Sequence, residues 1–173
     1  FTFLQFSKIH TVTVSEILKK YEWNDEEFYK NKEKNLENYD LVFSDAVKYA
    51  KKIYSTIKSL GKLNETIIIF FADHGTGVGE RFGERNYGVY TFEETIKTFY
   101  LFIGPKIRKN VECDKLLSSI DMYPTILDLG KISHKRQTKN ISNYIFKNEE
   151  NVKENYVFTE TGGLQGPHPS PKK

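Results

Sequence analysis

The sequence contains one cysteine, Cys113, so an intrachain disulfide is impossible. It has no apolar run near the roughly 20 residues that a membrane-spanning helix needs, so we expect no transmembrane segment in this chain. Neither sign of charge dominates, because 26 basic residues stand against 23 acidic ones. The Lys-rich stretches are therefore interpreted as solvated surface, and we expect no nucleic-acid partner.

The apolar content is high enough for a folded domain. Hydrophobic residues make up 38% of the 173 positions and aromatic residues 14%, which excludes a disordered chain. No internal repeat or second core is present, so residues 1–173 are predicted to form one domain. The sequence begins directly in strand-like FTFLQF, without a basic and apolar leader, and we expect it to be a piece of a longer chain.

The most informative stretch is Thr66–Glu80, TIIIFFADHGTGVGE. Its apolar part, Ile67–Phe71, predicts a strand buried on both faces of a parallel sheet. Asp73 and His74 follow where that strand should end, before a glycine-rich loop. Taken alone, the pair is better explained as a turn cap and an ordinary loop histidine, so its meaning depends on the rest of the chain.

Two other segments also place a polar residue after a predicted strand. Phe1–Phe6 is predicted to be a buried strand, and the loop that follows it carries His10. Tyr156–Thr159 is predicted to be a short last strand, and Glu160 follows it. Because ligands bind beyond the carboxyl ends of strands in open α/β sheets, the three segments predict a common site.

Helical and strand patterns alternate along the middle of the chain. Apolar residues recur every three or four positions over Tyr39–Leu60, which predicts an amphipathic helix. Phe99–Ile103 predicts a strand, and Asp114–Gly130 predicts a helix with Asp121 as N-cap. Arg81–Tyr90 is a polar, aromatic segment, and it is too rich in glycine and charge to be predicted as part of the core. This alternation predicts βαβ units and a parallel sheet.

Four motifs in order resemble the sulfatase family of the alkaline phosphatase superfamily. They are FTFLQFSKIHT, NETIIIFFADHGTGVGE, FEETIKTFYLFIGP and SSIDMYPTILDLG. The resemblance implies an α/β fold, a three-layer αβα sandwich with a mostly parallel sheet. It also implies that the chain is a fragment of the catalytic domain, incomplete at the N-terminus, because nothing here matches the family's nucleophile segment.

The resemblance further implies hydrolysis of a sulfate ester at a divalent metal ion. Asp73 and His74 would bind the metal, and His10 would contact the non-bridging oxygens of the ester. A carboxylate suits Ca²⁺, the expected ion, or Mg²⁺, whereas an imidazole beside it is also compatible with Mn²⁺ or Zn²⁺. The substrate would be a small-molecule or glycan ester, and the nucleophile would lie upstream.

Some positions depart from the family pattern. Cys113 lacks the Cys-x-Pro-Ser-Arg context of a nucleophile and is expected to be an ordinary half-buried thiol. Where the family often has a Lys or His before its Glu-Glu turn, Arg85 is the only nearby cation. Lys8 stands where many members have an acidic residue, and His168 is interpreted as a tail histidine.

Two alternatives stay open. Hydrolysis of a phosphodiester or transfer of a phosphoryl group could occur on the same fold. The chain could instead be a truncated, non-catalytic fragment, and in isolation we expect it to be inactive.

Overall fold

A computed structural model describes residues 1–10, 26–113, 116–133, 135, 141–146 and 156–161. Within these ranges the contacts divide the chain into two compact units. Unit 1 comprises the described residues of Phe1–Leu60, His74–Phe99 and Thr159–Lys173. Unit 2 comprises those of Gly61–Asp73 and Tyr100–Phe158.

Unit 1 is built mainly of helices. Its main elements are α1 (Glu26–Lys30), α2 (Lys32–Ser59) and α3 (Glu93–Ile96). The prediction of a helix over Tyr39–Leu60 is confirmed, but α2 begins seven residues earlier. Its first two turns, KEKNLEN, contain a single apolar residue, Leu36, and therefore no apolar stripe, so the periodic pattern could not reveal them.

The N-terminal segment of unit 1 is not a strand. Residues 1–7 are irregular and residues 8–10 form a helical turn, so the predicted buried strand Phe1–Phe6 is wrong. A strand needs a partner for its backbone groups, and in the described part of the chain no strand pairs with this segment. It is attached to α2 through side chains instead: Phe6 packs on Tyr49 with ring centroids 5.4 Å apart, and Lys8 forms an ion pair with Asp45.

Unit 2 combines a two-stranded sheet with short helices. Strand β1 (Ile68–Phe71) pairs with β2 (Tyr100–Ile103), so that Ile68 lies opposite Ile103 and Phe71 opposite Tyr100. The helices are α4 (Met122–Leu129) and α5 (Ser142–Phe146). The core of the unit contains Met122, Ile141 and Ile145, with Ile69, Tyr100, Phe102, Ile107, Leu117, Ile126 and Phe146 packed around it.

The two predicted central strands are present, and the sheet differs from the prediction in two ways. The pair is antiparallel, so the described residues show an α/β composition without the expected mostly parallel sheet. Parallel neighbours are usually joined by a crossover helix that packs on the sheet, whereas the helix between β1 and β2 is the four-residue α3. Strand β1 is also not buried on both faces, because Phe71 is 45% exposed.

The start of α4 also differs from the prediction. A 3-10 turn, Ser119–Asp121, precedes the helix. Asp121 occupies the N-cap position of α4, as predicted, but it has helical backbone angles and its side chain makes no capping hydrogen bond to α4. Its buried carboxylate instead accepts a hydrogen bond from the Ser118 amide at 2.9 Å. The helix was predicted to begin at Asp114, which lies outside the described residues, and residues 116–118, before the 3-10 turn, are not helical.

Candidate functional site

Asp73 and His74 follow β1, as the sequence predicted. Asp73 is exposed and is the last residue of this stretch of unit 2, whereas His74 is half-buried and belongs to unit 1. Their Cα atoms are about 3.8 Å apart, because they are consecutive residues. Among the described residues, no group of three or more His, Cys, Asp or Glu side chains could hold a metal ion. The pair therefore amounts to two potential ligands.

The ring of His74 is oriented by the backbone next to it. Its Nδ1 lies 2.8 Å from the carbonyl oxygen of Gly75. A carbonyl oxygen can only accept a hydrogen bond, so in this contact Nδ1 carries the hydrogen. In the neutral ring the lone pair then belongs to Nε2, which is the arrangement in which a histidine can bind a metal ion.

Gly75 connects this loop to α3. Its amide donates to the carbonyl oxygen of Thr95 at 2.9 Å. A Cβ at position 75 would lie 2.3 Å from the carbonyl oxygen of Glu94, so only glycine fits. The loop after His74 is therefore held against the helical turn of the Glu-Glu motif.

Tyr87 contacts both histidines that the sequence selected. Its hydroxyl lies 3.2 Å from Nδ1 of His10. Its ring packs on the imidazole of His74, with centroids 4.1 Å apart. Unit 1 thus brings His10, Tyr87 and His74 together, although His10 lies on a helical turn and not in a loop after a strand. Sequence reasoning missed Tyr87, because it lies in a segment whose glycine and charge content predicted only a position outside the core.

The segment around Tyr87 has a defined structure. Gly77 and Asn86 form an isolated antiparallel bridge, with the Asn86 amide donating to the Gly77 carbonyl at 3.1 Å. Glu84 is only 1% exposed, and its carboxylate accepts hydrogen bonds from the amides of Val89 (3.4 Å) and Tyr90 (2.5 Å). The prediction that Arg81–Tyr90 lies outside the core is therefore wrong for its centre. A polar segment can be buried when its own side chains satisfy its backbone hydrogen bonds.

Arg85, the cation near the position where the family often has a Lys or His, is also buried. Its guanidinium lies over the ring of Phe28, 4.5 Å from the centroid. It is 7% exposed, so the contact packs α1 against the segment.

The remaining positions singled out in the sequence are Glu160, Cys113 and His168. Tyr156–Thr159 is not a strand and Glu160 is exposed, so the prediction of a strand-end carboxylate there is wrong. The next residue, Thr161, donates from its hydroxyl to the Gly88 carbonyl at 3.0 Å. Cys113 is exposed rather than half-buried, and His168 lies outside the described residues.

Comparison with known proteins agrees with the motif order. The family model described as Sulfatase matches residues 1–132, which include His10, Asp73, His74 and Tyr87. The chain belongs to the sulfatase family.

Several named sulfatases are similar to parts of the chain. Arylsulfatase K of Bos taurus is 31% identical over 110 residues, which cover 59% of this chain and 19% of the relative. The extracellular sulfatase SULF-1 homolog of Drosophila melanogaster is 30% identical over 82 residues, covering 47% of this chain and 7% of the relative. A sulfatase of Formosa agariphila is 26% identical over 113 residues, 64% of this chain and 22% of the relative. The chain thus spans less than a quarter of the length of these curated relatives.

Family membership confirms the assignment made from the four motifs, and it implies an alkaline-phosphatase-like α/β fold. None of the helices in the part of the chain that the structure describes is long and apolar enough to cross a bilayer.

Proposed function

We propose that the protein containing this chain hydrolyses sulfate esters at a divalent metal centre. Asp73 and His74 would bind the metal ion, and His10 would contact the non-bridging oxygens of the ester. The observation that carries this proposal is the hydrogen bond from Nδ1 of His74 to Gly75, which leaves the lone pair of the neutral ring on Nε2. Family membership supplies the reaction class.

The donor atoms of the pair fit a divalent cation. The exposed Asp73 carboxylate is a hard oxygen ligand of the kind that Ca²⁺ and Mg²⁺ prefer. The His74 imidazole extends the range to Mn²⁺ and Zn²⁺. When bound, such an ion stabilises negative charge that develops on the sulfuryl oxygens.

The residues of unit 1 contribute orientation and a hydrogen-bond donor. Gly75 holds the ring of His74 in one tautomer through its carbonyl, and holds the loop on α3 through its amide. His10 is exposed and contacts Tyr87 through Nδ1, so its Nε2 edge is the edge proposed to donate to an ester oxygen.

We also propose that residues 1–173 form part of one sulfatase-like catalytic domain, with the family's three-layer αβα sandwich and mostly parallel sheet. The nucleophile would come from a segment other than these 173 residues. In support, the only cysteine, Cys113, lies outside any nucleophile motif. On this proposal the isolated chain is inactive, and sulfate-ester turnover by the chain alone would contradict it.

The metal assignment can be tested by thermal unfolding of the chain with Ca²⁺, Mg²⁺, Mn²⁺ or Zn²⁺, each compared with EDTA. A ligand that binds only the folded form stabilises it by about 2.7 kcal/mol at 100 times its dissociation constant. We expect the wild-type chain to be stabilised, and Asp73→Ala to lose the effect. Asp40→Asn, at an exposed carboxylate on α2, is the control and should respond like the wild type.

An equal metal response in Asp73→Ala, His74→Ala and the wild type would show that the pair does not bind the ion. The ester class is tested separately with the full-length enzyme, by comparing turnover of aryl sulfate and aryl phosphate. Preference for the phosphate would favour phosphoryl transfer on the same fold over sulfate hydrolysis.

A further inference from the structure

Tyr87 is the residue through which the two site histidines are connected within unit 1. Its hydroxyl contacts Nδ1 of His10 at 3.2 Å, and its ring face lies against the imidazole of His74, with centroids 4.1 Å apart and planes inclined by 44°. Tyr87 is half-buried, whereas His10 is exposed. Tyr87 therefore contacts His10 through its hydroxyl group and His74 through its aromatic ring.

The chemistry of the two groups favours one direction for the hydrogen bond between Tyr87 and His10. A neutral imidazole nitrogen is basic, with a conjugate acid of pKa about 6.5, whereas a phenol is a weak acid with a pKa of about 10 and a poor acceptor oxygen. The stronger pairing has the phenol hydroxyl donating to Nδ1. The hydrogen of the neutral His10 ring then belongs to Nε2.

Tyr87 is itself held by the surrounding loop. The residue before it, Asn86, is 4% exposed and forms the backbone bridge to Gly77. After it, the Val89 and Tyr90 amides are bound by the buried Glu84 carboxylate. A side chain whose backbone is fixed on both sides can set the orientation of exposed neighbours, which is what a positioning residue requires.

We propose that Tyr87 is a positioning residue for His10 and His74. It fixes His10 in the Nε2–H tautomer, so that this N–H group can donate a hydrogen bond to an oxygen of the sulfate ester. Its ring also packs against the His74 imidazole, while the Gly75 carbonyl fixes the tautomer of His74. The role in substrate binding rests on the proposed sulfatase function. The effect on the His10 tautomer does not.

The test uses the 173-residue chain labelled with ¹⁵N-histidine, at a pH where imidazoles are neutral. Long-range ¹H–¹⁵N spectra distinguish ring nitrogens that carry hydrogen from those that do not, and His10→Gln and His74→Gln assign the signals. We expect hydrogen on Nε2 of His10 and on Nδ1 of His74 in the wild type. Tyr87→Phe should give a tautomer mixture at His10 and leave His74 unchanged.

Two further variants separate the hydroxyl from the ring. Tyr87→Ala should disturb His10 and also shift the ring-proton signals of His74, because the stacked ring is lost. Tyr90→Phe, which removes a hydroxyl from a neighbouring tyrosine, should change neither histidine. If His10 keeps the Nε2–H tautomer in Tyr87→Phe, the positioning role is wrong.

Titration with inorganic sulfate then links the positioning role to function. We expect sulfate to shift the His10 signals of the wild type, and Tyr87→Phe to bind it about tenfold more weakly, a typical loss for a residue that orients a ligand-binding histidine. The His10 tautomer could change in Tyr87→Phe while sulfate does not shift the His10 signals. That result would support the positioning role and contradict the proposed substrate contact. A sulfate response equal in wild type and Tyr87→Phe would support the contact and contradict a role for Tyr87 in it.

Discussion

The amide of Gly75 donates a hydrogen bond to the carbonyl oxygen of Thr95 at 2.9 Å. Through this bond the residue after the Asp-His pair is attached to α3, twenty positions later in the chain. Thr95 is buried, and its hydroxyl donates to the carbonyl of Phe92 at 2.9 Å, which closes the turn at the start of the helix. Gly75 and Thr95, which come from two of the four motifs, therefore belong to one local structure in unit 1.

Replacing Gly75 with alanine should destabilise the chain. The new Cβ would lie 2.3 Å from the Glu94 carbonyl oxygen and 2.9 Å from that of Lys97, and backbone atoms cannot move aside as a flexible side chain can. We expect Gly75→Ala to lower the free energy of unfolding by about 1–3 kcal/mol, as overpacking does. Urea unfolding measures the change.

Gly130→Ala is the matched control for that substitution. Gly130 has helical backbone angles, and a Cβ there would have its nearest neighbour at 3.4 Å. We expect a change within about 0.5 kcal/mol, as for a substitution that meets no special feature. If both variants lose the same free energy of unfolding, the close approach of Gly75 to α3 is not the cause of the destabilisation.

The ion pair between Arg81 and Glu94 should make stability depend on pH. A hydrogen bond from its own backbone amide and the Arg81 guanidinium, 2.7 Å away, lower the pKa of the Glu94 carboxyl below its ordinary 4.5, against the opposing effect of burial. A lowered pKa in the folded state adds stability above pH 4.5, and this stability is lost as the pH falls through the folded value. Glu94→Gln should therefore have a lower Tm than wild type at pH 7.

The difference in Tm between wild type and Glu94→Gln should shrink as the pH is lowered from 5 to 3, which a series of thermal scans measures. Glu93→Gln is the control, since Glu93 is 73% exposed and lies 3.4 Å from Lys97. The exposed ion pair between Glu93 and Lys97 should contribute little to the Tm at any pH. A Tm difference for Glu94→Gln that persists unchanged at pH 3 would contradict the charge-based explanation.

The hydroxyl of Thr125 should stabilise unit 2 more than its methyl group does. Thr125 is fully buried, donates to the Asp121 carbonyl at 2.7 Å and accepts from the Ile141 amide at 3.2 Å. Thr125→Val keeps the shape but leaves the Ile141 amide without this partner, so we expect a loss of about 1–3 kcal/mol.

Thr125→Ser keeps the hydroxyl and removes only a buried methyl group, which should cost about 0.8 kcal/mol. Denaturant unfolding of both variants compares the two contributions. If Thr125→Ser lowers the free energy of unfolding as much as Thr125→Val does, packing of the methyl group rather than hydrogen bonding holds α4 to Ile141.

Regular elements could be predicted where their stabilisation is local or follows a simple period. Helix α2 was found from its apolar stripe over Tyr39–Leu60, and β1 and β2 from short apolar runs. The strand predicted for Phe1–Phe6 failed, because alternation of apolar and polar residues cannot create the partner strand that supplies hydrogen bonds. The direction of β2 relative to β1 depends on how the connection between them folds, which the apolar pattern of the two strands does not reveal.

The family and the order of its motifs can be recognised from the amino-acid sequence alone, since the motifs are continuous segments whose chemistry can be read without coordinates. The contacts of Tyr87 with both histidines, and the burial of Glu84 in the same segment, become visible only in the folded chain. Contacts between residues as distant in sequence as positions 10 and 87 arise from how the chain folds back, and a polar segment becomes buried only when that folding satisfies its hydrogen bonds.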